Sequence, residues 1–231
     1  MFGEESASRV AGGPSELIST GLGKIGLALR HEAWRSGRDS RLTPTQGALL
    51  ALLWRRGRPL HLWELAEGLA VTAPTASDSL AALVEKGLAV KTRSPEDGRS
   101  LSVRLTQEGE REAAQAAMWS DFLAEAAEGL DEREQGVFLR GLTKMIRRLQ
   151  REGRIPIARM CVNCRFFRPY AHAQGSRPHH CDYVDAPFGD RELRLDCSDQ
   201  QPLPPPEGER VWRAFLTGAA DPSTQPQEEE R

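Results

Sequence analysis

All four cysteines of the chain fall within about forty residues, spaced Cys161-x2-Cys164-x16-Cys181-x15-Cys197, with His172, His179 and His180 close by. Four thiols gathered this way point to one shared site rather than to scattered core cysteines. A reducing cytoplasm disfavours disulfides, and the C-x-x-C pair alone would also suit a redox couple. The reading preferred here is one metal centre on Cys161, Cys164, Cys181 and Cys197. Zinc suits a closed four-cysteine site, although zinc folds commonly use two C-x-x-C knuckles and only one exists here. One close pair plus two isolated cysteines also suits a [4Fe–4S] cluster. Zinc is placed slightly ahead, with iron–sulfur next and a histidine in place of one cysteine as a further arrangement. His179 and His180 are assigned to the surface or to supporting the ligands. The segment carries few large apolar residues, so bound metal is expected to contribute to its folding, on the order of 10 kcal/mol for structural zinc.

A second kind of chemistry precedes the cysteines, in Leu60 to Thr106. Leu62, Leu65, Ala66 and Leu69 repeat at helical spacing until Val71-Thr72-Ala73-Pro74 breaks the run. Thr72 then caps a second helix with Pro74 in its first turn, where a missing N–H costs least. Ala76, Leu80, Leu83 and Val84 form its apolar face, which leaves Thr75, Ser77, Asp78 and Ala81 pointing outward. After Gly87 come two extended runs, 89–92 and 102–105, joined by the polar loop Ser94-Pro95-Glu96-Asp97-Gly98-Arg99. Two short helices followed by a basic-tipped hairpin predict a winged helix-turn-helix whose second helix enters a major groove. The fold class is therefore mainly α with a small β-hairpin wing (α+β).

The Leu65-Ala66 pair, the helix end Glu85-Lys86-Gly87-Leu88, the wing Asp97-Gly98-Arg99 and Leu105-Thr106-x-x-Gly109 together resemble the MarR family of bacterial transcriptional regulators. The resemblance implies a homodimer on a double-stranded operator. It also implies that Arg99 reaches the minor groove with Asp97 orienting it. Thr75 and Ser77 would make groove contacts, and Arg93 would serve the wing. His61, Ala82 and Asp78 depart from the family's pattern; the last two leave the recognition helix with little direct attraction for phosphate, so either affinity is modest or the wing carries more of it. Family members often respond to small amphipathic ligands between the DNA-binding and dimer regions, and His31, Trp34 and Trp54 are the candidates for such a pocket. Separately, Cys161-Val162-Asn163-Cys164-Arg165-Phe166-Phe167 is similar to the ligand loop of high-potential iron–sulfur proteins, whose other cysteines are comparably far apart. That family's Gly-aromatic-Cys ending is replaced here by Leu195-Asp196-Cys197.

The remaining elements position these sites. A helix is expected from Ser15 to about Arg38, striped by Leu17, Ile18, Leu22, Ile25 and Leu29. Thr43-Pro44-Thr45-Gln46 reads as a capping box opening the next helix. Arg55, Arg56 and Arg58 at its end suit the helix dipole and phosphate contact equally well. Thr106 caps a helix expected to run through Ala126, and Asp131 begins another, in which Phe138, Leu142, Met145 and Leu149 form a seam for a partner helix. The expected units are a disordered 1–14, a winged-helix and dimerisation domain over 15–153, the metal-binding segment over 158–200, and a Pro-rich linker with a mostly disordered tail over 201–231. Within that tail, Val211 to Leu216 forms a short amphipathic patch suited to docking.

Composition narrows the class. The 231 residues are 39% hydrophobic and 28% charged with a formal net charge of −2, so basic surface is local and indiscriminate nucleic-acid binding is disfavoured. No membrane span or signal peptide is read, which points to the cytoplasm. Without a Gly-rich phosphate loop, H-E-x-x-H or G-x-S-x-G, an enzyme is not expected. The reading is a DNA-binding regulator, with repression expected from the family. The alternatives are an iron–sulfur redox or electron-transfer component, and a protein–protein adaptor using the winged helix as its interaction module.

Overall fold

The computed structural model describes residues 12–37, 41–93, 101–172 and 175–219. Residues 1–11 and 220–231, read from the sequence as disordered, and the wing-tip pair Asp97 and Arg99 lie outside these. No helix among the described residues is long and apolar enough to cross a membrane.

The chain begins with α1 (Pro14–Ser36) and α2 (Pro44–Arg56). Thr43 and Gln46 exchange backbone-to-side-chain hydrogen bonds, both 3.3 Å, so the expected capping box starts α2. Gly57, at φ 61°, ends it in the left-handed region that glycine tolerates. A two-residue strand, β1 (Leu60–His61), leads into α3 (Leu62–Gly68), α4 (Ala73–Glu85), β2 (Ala89–Arg93) and β3 (Leu101–Leu105). The sheet order is β1-β3-β2, antiparallel throughout, with Ala89 opposite Leu105 and Leu60 opposite Val103. The sequence pattern shows the hairpin but not β1, which is too short to display a period of two.

One leucine-rich core, including Leu49, Leu53, Leu65, Leu80 and Leu83, lies between α2, α3, α4 and the sheet. The helix after the sheet closes it through the Leu-Thr-x-x-Gly run. Thr106 donates its hydroxyl to Gly87 O (2.7 Å), and its oxygen accepts the Gly109 N–H (3.0 Å). A Cβ on Gly109 would stand 1.8 Å from Leu88 O, so the close approach of that helix to the strand requires glycine.

The single helix expected from Thr106 through Ala126 is two, α5 (Gln107–Ala117) and α6 (Asp121–Glu128), separated by a 3-10 turn at Met118–Ser120. The turn places the Trp119 ring against bare backbone of α2: a Cβ on Gly47 would lie 2.1 Å from it. A helical run of small residues could not reveal this, because the cause is tertiary.

α7 (Glu132–Arg151) packs with the C-terminal elements. Its Gly136, Thr143 and Arg147 are buried, with Gly136 against Asp190 and Arg191. Beyond it come a 3-10 turn (Cys161–Asn163), a three-stranded antiparallel sheet of β4 (Phe167–Arg168), β5 (His179–Cys181) and β6 (Ala186–Phe188), and α8 (Pro205–Thr217). The Pro-rich stretch read as a linker therefore starts a helix. Pro205 occupies its first turn, and Val211, Trp212, Ala214 and Phe215 form its buried face. These residues join Met160, Val162, Phe167 and Leu193 in a second core, with Ile146 of α7 packed against it. The large apolar side chains missing from the cysteine segment are thus supplied by its neighbours in sequence.

Two separate cores predict separable responses. Phe215 is fully buried, so Phe215→Ala should cost ~3–5 kcal/mol in the cysteine unit. Hydrogen exchange read by mass spectrometry should show protection falling across 160–215 and holding in α2 and α4. Equal loss in both regions would mean one cooperative core.

Candidate nucleic-acid interface and cysteine site

On α4, Ala76, Leu80 and Leu83 are buried, while Thr75, Asp78 and Ala81 lie on the exposed side and Ser77 is half-buried. Thr72 accepts the Thr75 N–H (3.3 Å) and its hydroxyl lies 2.8 Å from that of Thr75, which fixes the helix's first turn. Val84, expected on the apolar face, is exposed. Arg93 is exposed at the end of β2. Lys91, two residues earlier, shares its strand face and is a basic residue that the sequence pattern alone does not single out. Its signal is the strand's alternation, obscured in a five-residue run.

Near the start of α3, Glu64 accepts the His61 N–H (2.8 Å) and pairs with Arg58 (2.6 Å). Burial works to raise the Glu64 carboxyl, but these donors prevail and hold it below the usual range. Arg56 pairs with Asp196 of the cysteine unit at 2.5 Å. Both basic residues are therefore engaged within the chain. Lys86 at the end of α4 reaches Arg41 O and Gln46 Oε1, tying α4 to the start of α2.

His31, Trp34 and Trp54 do not come together. His31 and Trp34 are exposed on α1, and Trp54 lines a surface hollow with Arg58, Arg104 and Glu110. A different cavity, of about 420 Å³, lies between α1, α2 and α5, with Ala33, Ala48, Leu69, Ala116 and Trp119 in its walls. The pocket's aromatic is Trp119, brought there by the turn that interrupts the expected long helix.

The cysteines do converge. All four line one cavity of about 140 Å³, together with Phe166, Phe167, Tyr183 and Phe188. They are free thiols, with Cys164 buried and the others half-buried. The 3-10 turn carries Cys161 and leads to Cys164. Cys181 ends β5 opposite Phe167, and the Cys197 N–H is held by Arg159 O at 2.8 Å. Backbone N–H of Arg194 donates to Cys161 Sγ at 3.3 Å, and its guanidinium lies 3.8 Å from Cys197 Sγ. Burial raises the Cys164 thiol, and the backbone N–H groups of Phe166 and Gln201 work to lower it. Among the described residues no three His, Cys, Asp or Glu side chains stand close enough to share one ion.

The histidines stand apart from this cavity's walls. His179 is fully buried and lies 3.1 Å from Asp190, with its other ring nitrogen 3.3 Å from the Tyr170 N–H. Burial favours a raised Asp190 carboxyl, but His179 and Arg140 hold it below the usual range. His172 and His180 contact each other near the surface, at 3.2 Å.

The helix pair α3–α4 with the β2–β3 hairpin is a winged helix-turn-helix. Residues 42–101, which span α2 through the start of β3, match the MarR family, so the chain carries a MarR family domain. Among solved structures, the chain is similar to Staphylococcus aureus MepR in its DNA-binding conformation, at 25% identity over 58% of this chain and 98% of that one (TM-score 0.53). It is also similar to the S. aureus MepR–DNA complex, at 24% identity over 60% and 97% (TM-score 0.52). The transcriptional regulator SlyA aligns at 19% identity over 58% and 95%, with a TM-score of 0.52. No curated protein matches the chain.

Burial, opposed by the Arg194 N–H and helped in smaller measure by the neighbouring thiols, pushes the Cys161 thiol up to about 11. In metal-free protein at pH 8 its reactive thiolate should thus be about 100-fold scarcer than that of an ordinary exposed cysteine. Alkylation followed by peptide mass spectrometry should find Cys161 reacting far more slowly than a free cysteine peptide at the same pH. A rate equal to that of the free peptide would contradict this burial.

Proposed function

We propose that the chain is a sequence-specific DNA-binding transcriptional regulator that acts as a homodimer, with the four-thiol pocket as its metal centre. The observation that carries this reading is the outward polar face of α4, held between a capped first turn and a basic-stranded hairpin inside the MarR family domain. MepR, similar in fold, is known in complex with DNA. Thr75 and Ser77 read base edges, Arg93 and Lys91 meet phosphate, and Arg99 enters the minor groove with Asp97 orienting it. Repression follows most simply, since a dimer lying across an operator blocks polymerase without further contacts.

Dimerisation is supported by two apolar stripes left uncovered within one chain. α1 exposes Leu17, Ile18, Ile25 and Leu29, and α7 exposes Phe138, Met145 and Leu149, with Leu142 half-buried. One helix-turn-helix reads one half-site, so a palindromic operator needs two copies. The cavity bounded by Ala33, Ala48 and Trp119 is the place for a small amphipathic effector.

Two experiments test the reading. With a duplex selected by the protein from a random pool, Arg99→Ala should weaken binding by ~1–3 kcal/mol, and Arg93→Ala should lower the salt slope by about one. Thermal stability should hold in both variants; unchanged binding in both would remove the wing from the interface. Met145→Asp places a charge in the α7 stripe and should give monomers in sedimentation, with tight binding to the palindrome lost. A variant that stays dimeric would put the contact elsewhere.

A further inference from the structure

We propose that the cavity formed by Cys161, Cys164, Cys181 and Cys197 holds a [4Fe–4S] cluster, one thiolate on each iron. This rests on the reading of the four thiols as one metal centre and specifies what that centre is. All four line the same cavity, and four aromatic side chains line it with them. A zinc ion, with Zn–S bonds of about 2.3 Å, draws its four sulfurs within about 4 Å of one another. A cubane cluster instead places each cysteine on a different corner, so its ligands stand farther apart around a larger body. The space agrees. At about 140 Å³ the cavity is several times the roughly 10–15 Å³ that a single water requires by the same kind of measure.

The walls suit such a body. Phe166, Phe167, Tyr183 and Phe188 surround the thiols with apolar surface, which shields a cluster from water. Donors already aim at the sulfurs: the Arg194 N–H at Cys161 and the Arg194 guanidinium at Cys197. Hydrogen bonds to ligand sulfur stabilise the charge that thiolates and cluster share, and they raise its potential. Loading converts four thiols to four thiolates and releases four protons.

The test is metal and sulfide analysis of the full chain purified anaerobically from iron-replete cells, with an absorption spectrum of the same sample. The expected result is brown protein with about four iron and about four acid-labile sulfide per chain. Cys181→Ser should sharply lower bound iron. Should that variant fold poorly, the stoichiometry of the unaltered chain still decides. One zinc per chain without iron would overturn the cluster and leave the four-thiol centre standing. Two irons with two sulfides would overturn the cluster type. Protein without metal, carrying four titratable thiols, would overturn both the cluster and the centre.

Discussion

The C-terminal half of the molecule depends on a buried charge. Arg147 of α7 points into the second core, where its guanidinium lies 4.7 Å from the centre of the Trp212 ring. It donates to Asn163 beside the cysteine turn and approaches Val162 O, Gly208 O and Glu209 within 3.5 Å. Burial lowers its affinity for the proton, opposed by Glu209. A charge out of water needs acceptors, and those that meet the two terminal nitrogens belong to separate stretches of chain, while Nε has no hydrogen-bond partner among the described residues. Arg140, two turns earlier on the same face, repeats the arrangement with Phe215 O and the Phe215 ring. Together the two arginines fix α7, the cysteine turn and α8 in one register.

That register has a consequence for the opposite side of α7. With Gly136, Thr143 and Arg147 turned toward the cysteine unit, Phe138, Met145 and Leu149 are left exposed. One helix thus serves as the wall of a thiol-bearing unit and offers an apolar stripe to a partner. On the other flank, Asp196 next to Cys197 is paired with Arg56 at the end of α2. The thiol cavity is therefore tied by short paths to both the winged helix and the stripe proposed for dimerisation.

The winged helix is legible in the sequence because its determinants are local. Thr43, Thr72 and Thr106 each cap the helix expected of them, and α4 buries Ala76, Leu80 and Leu83 as its periodicity requires. The three aromatic or histidine candidates for a ligand pocket do not converge, because pocket membership depends on how helices cross. Trp119 enters instead through a turn set by its contact with Gly47. Likewise α8 hides behind its prolines, whose effect on a helix depends on whether they stand in the first turn or inside it. For the cysteines, sequence spacing tells that four thiols belong together, but it carries no information about the gap between their sulfurs. In the sequence the closed four-cysteine set puts zinc slightly ahead and the single C-x-x-C pair suits a cluster; the cluster proposed above rests on the cavity that all four thiols line.

Two winged helices reading DNA as a symmetric pair is the central claim, and hydroxyl-radical footprinting of the intact protein on its selected duplex tests it most directly. The predicted result is two protected half-sites, symmetric about a dyad and centred about one helical turn apart, or a multiple of it. Two chains should be bound per duplex. A single asymmetric footprint, or protection that ignores sequence, would contradict it.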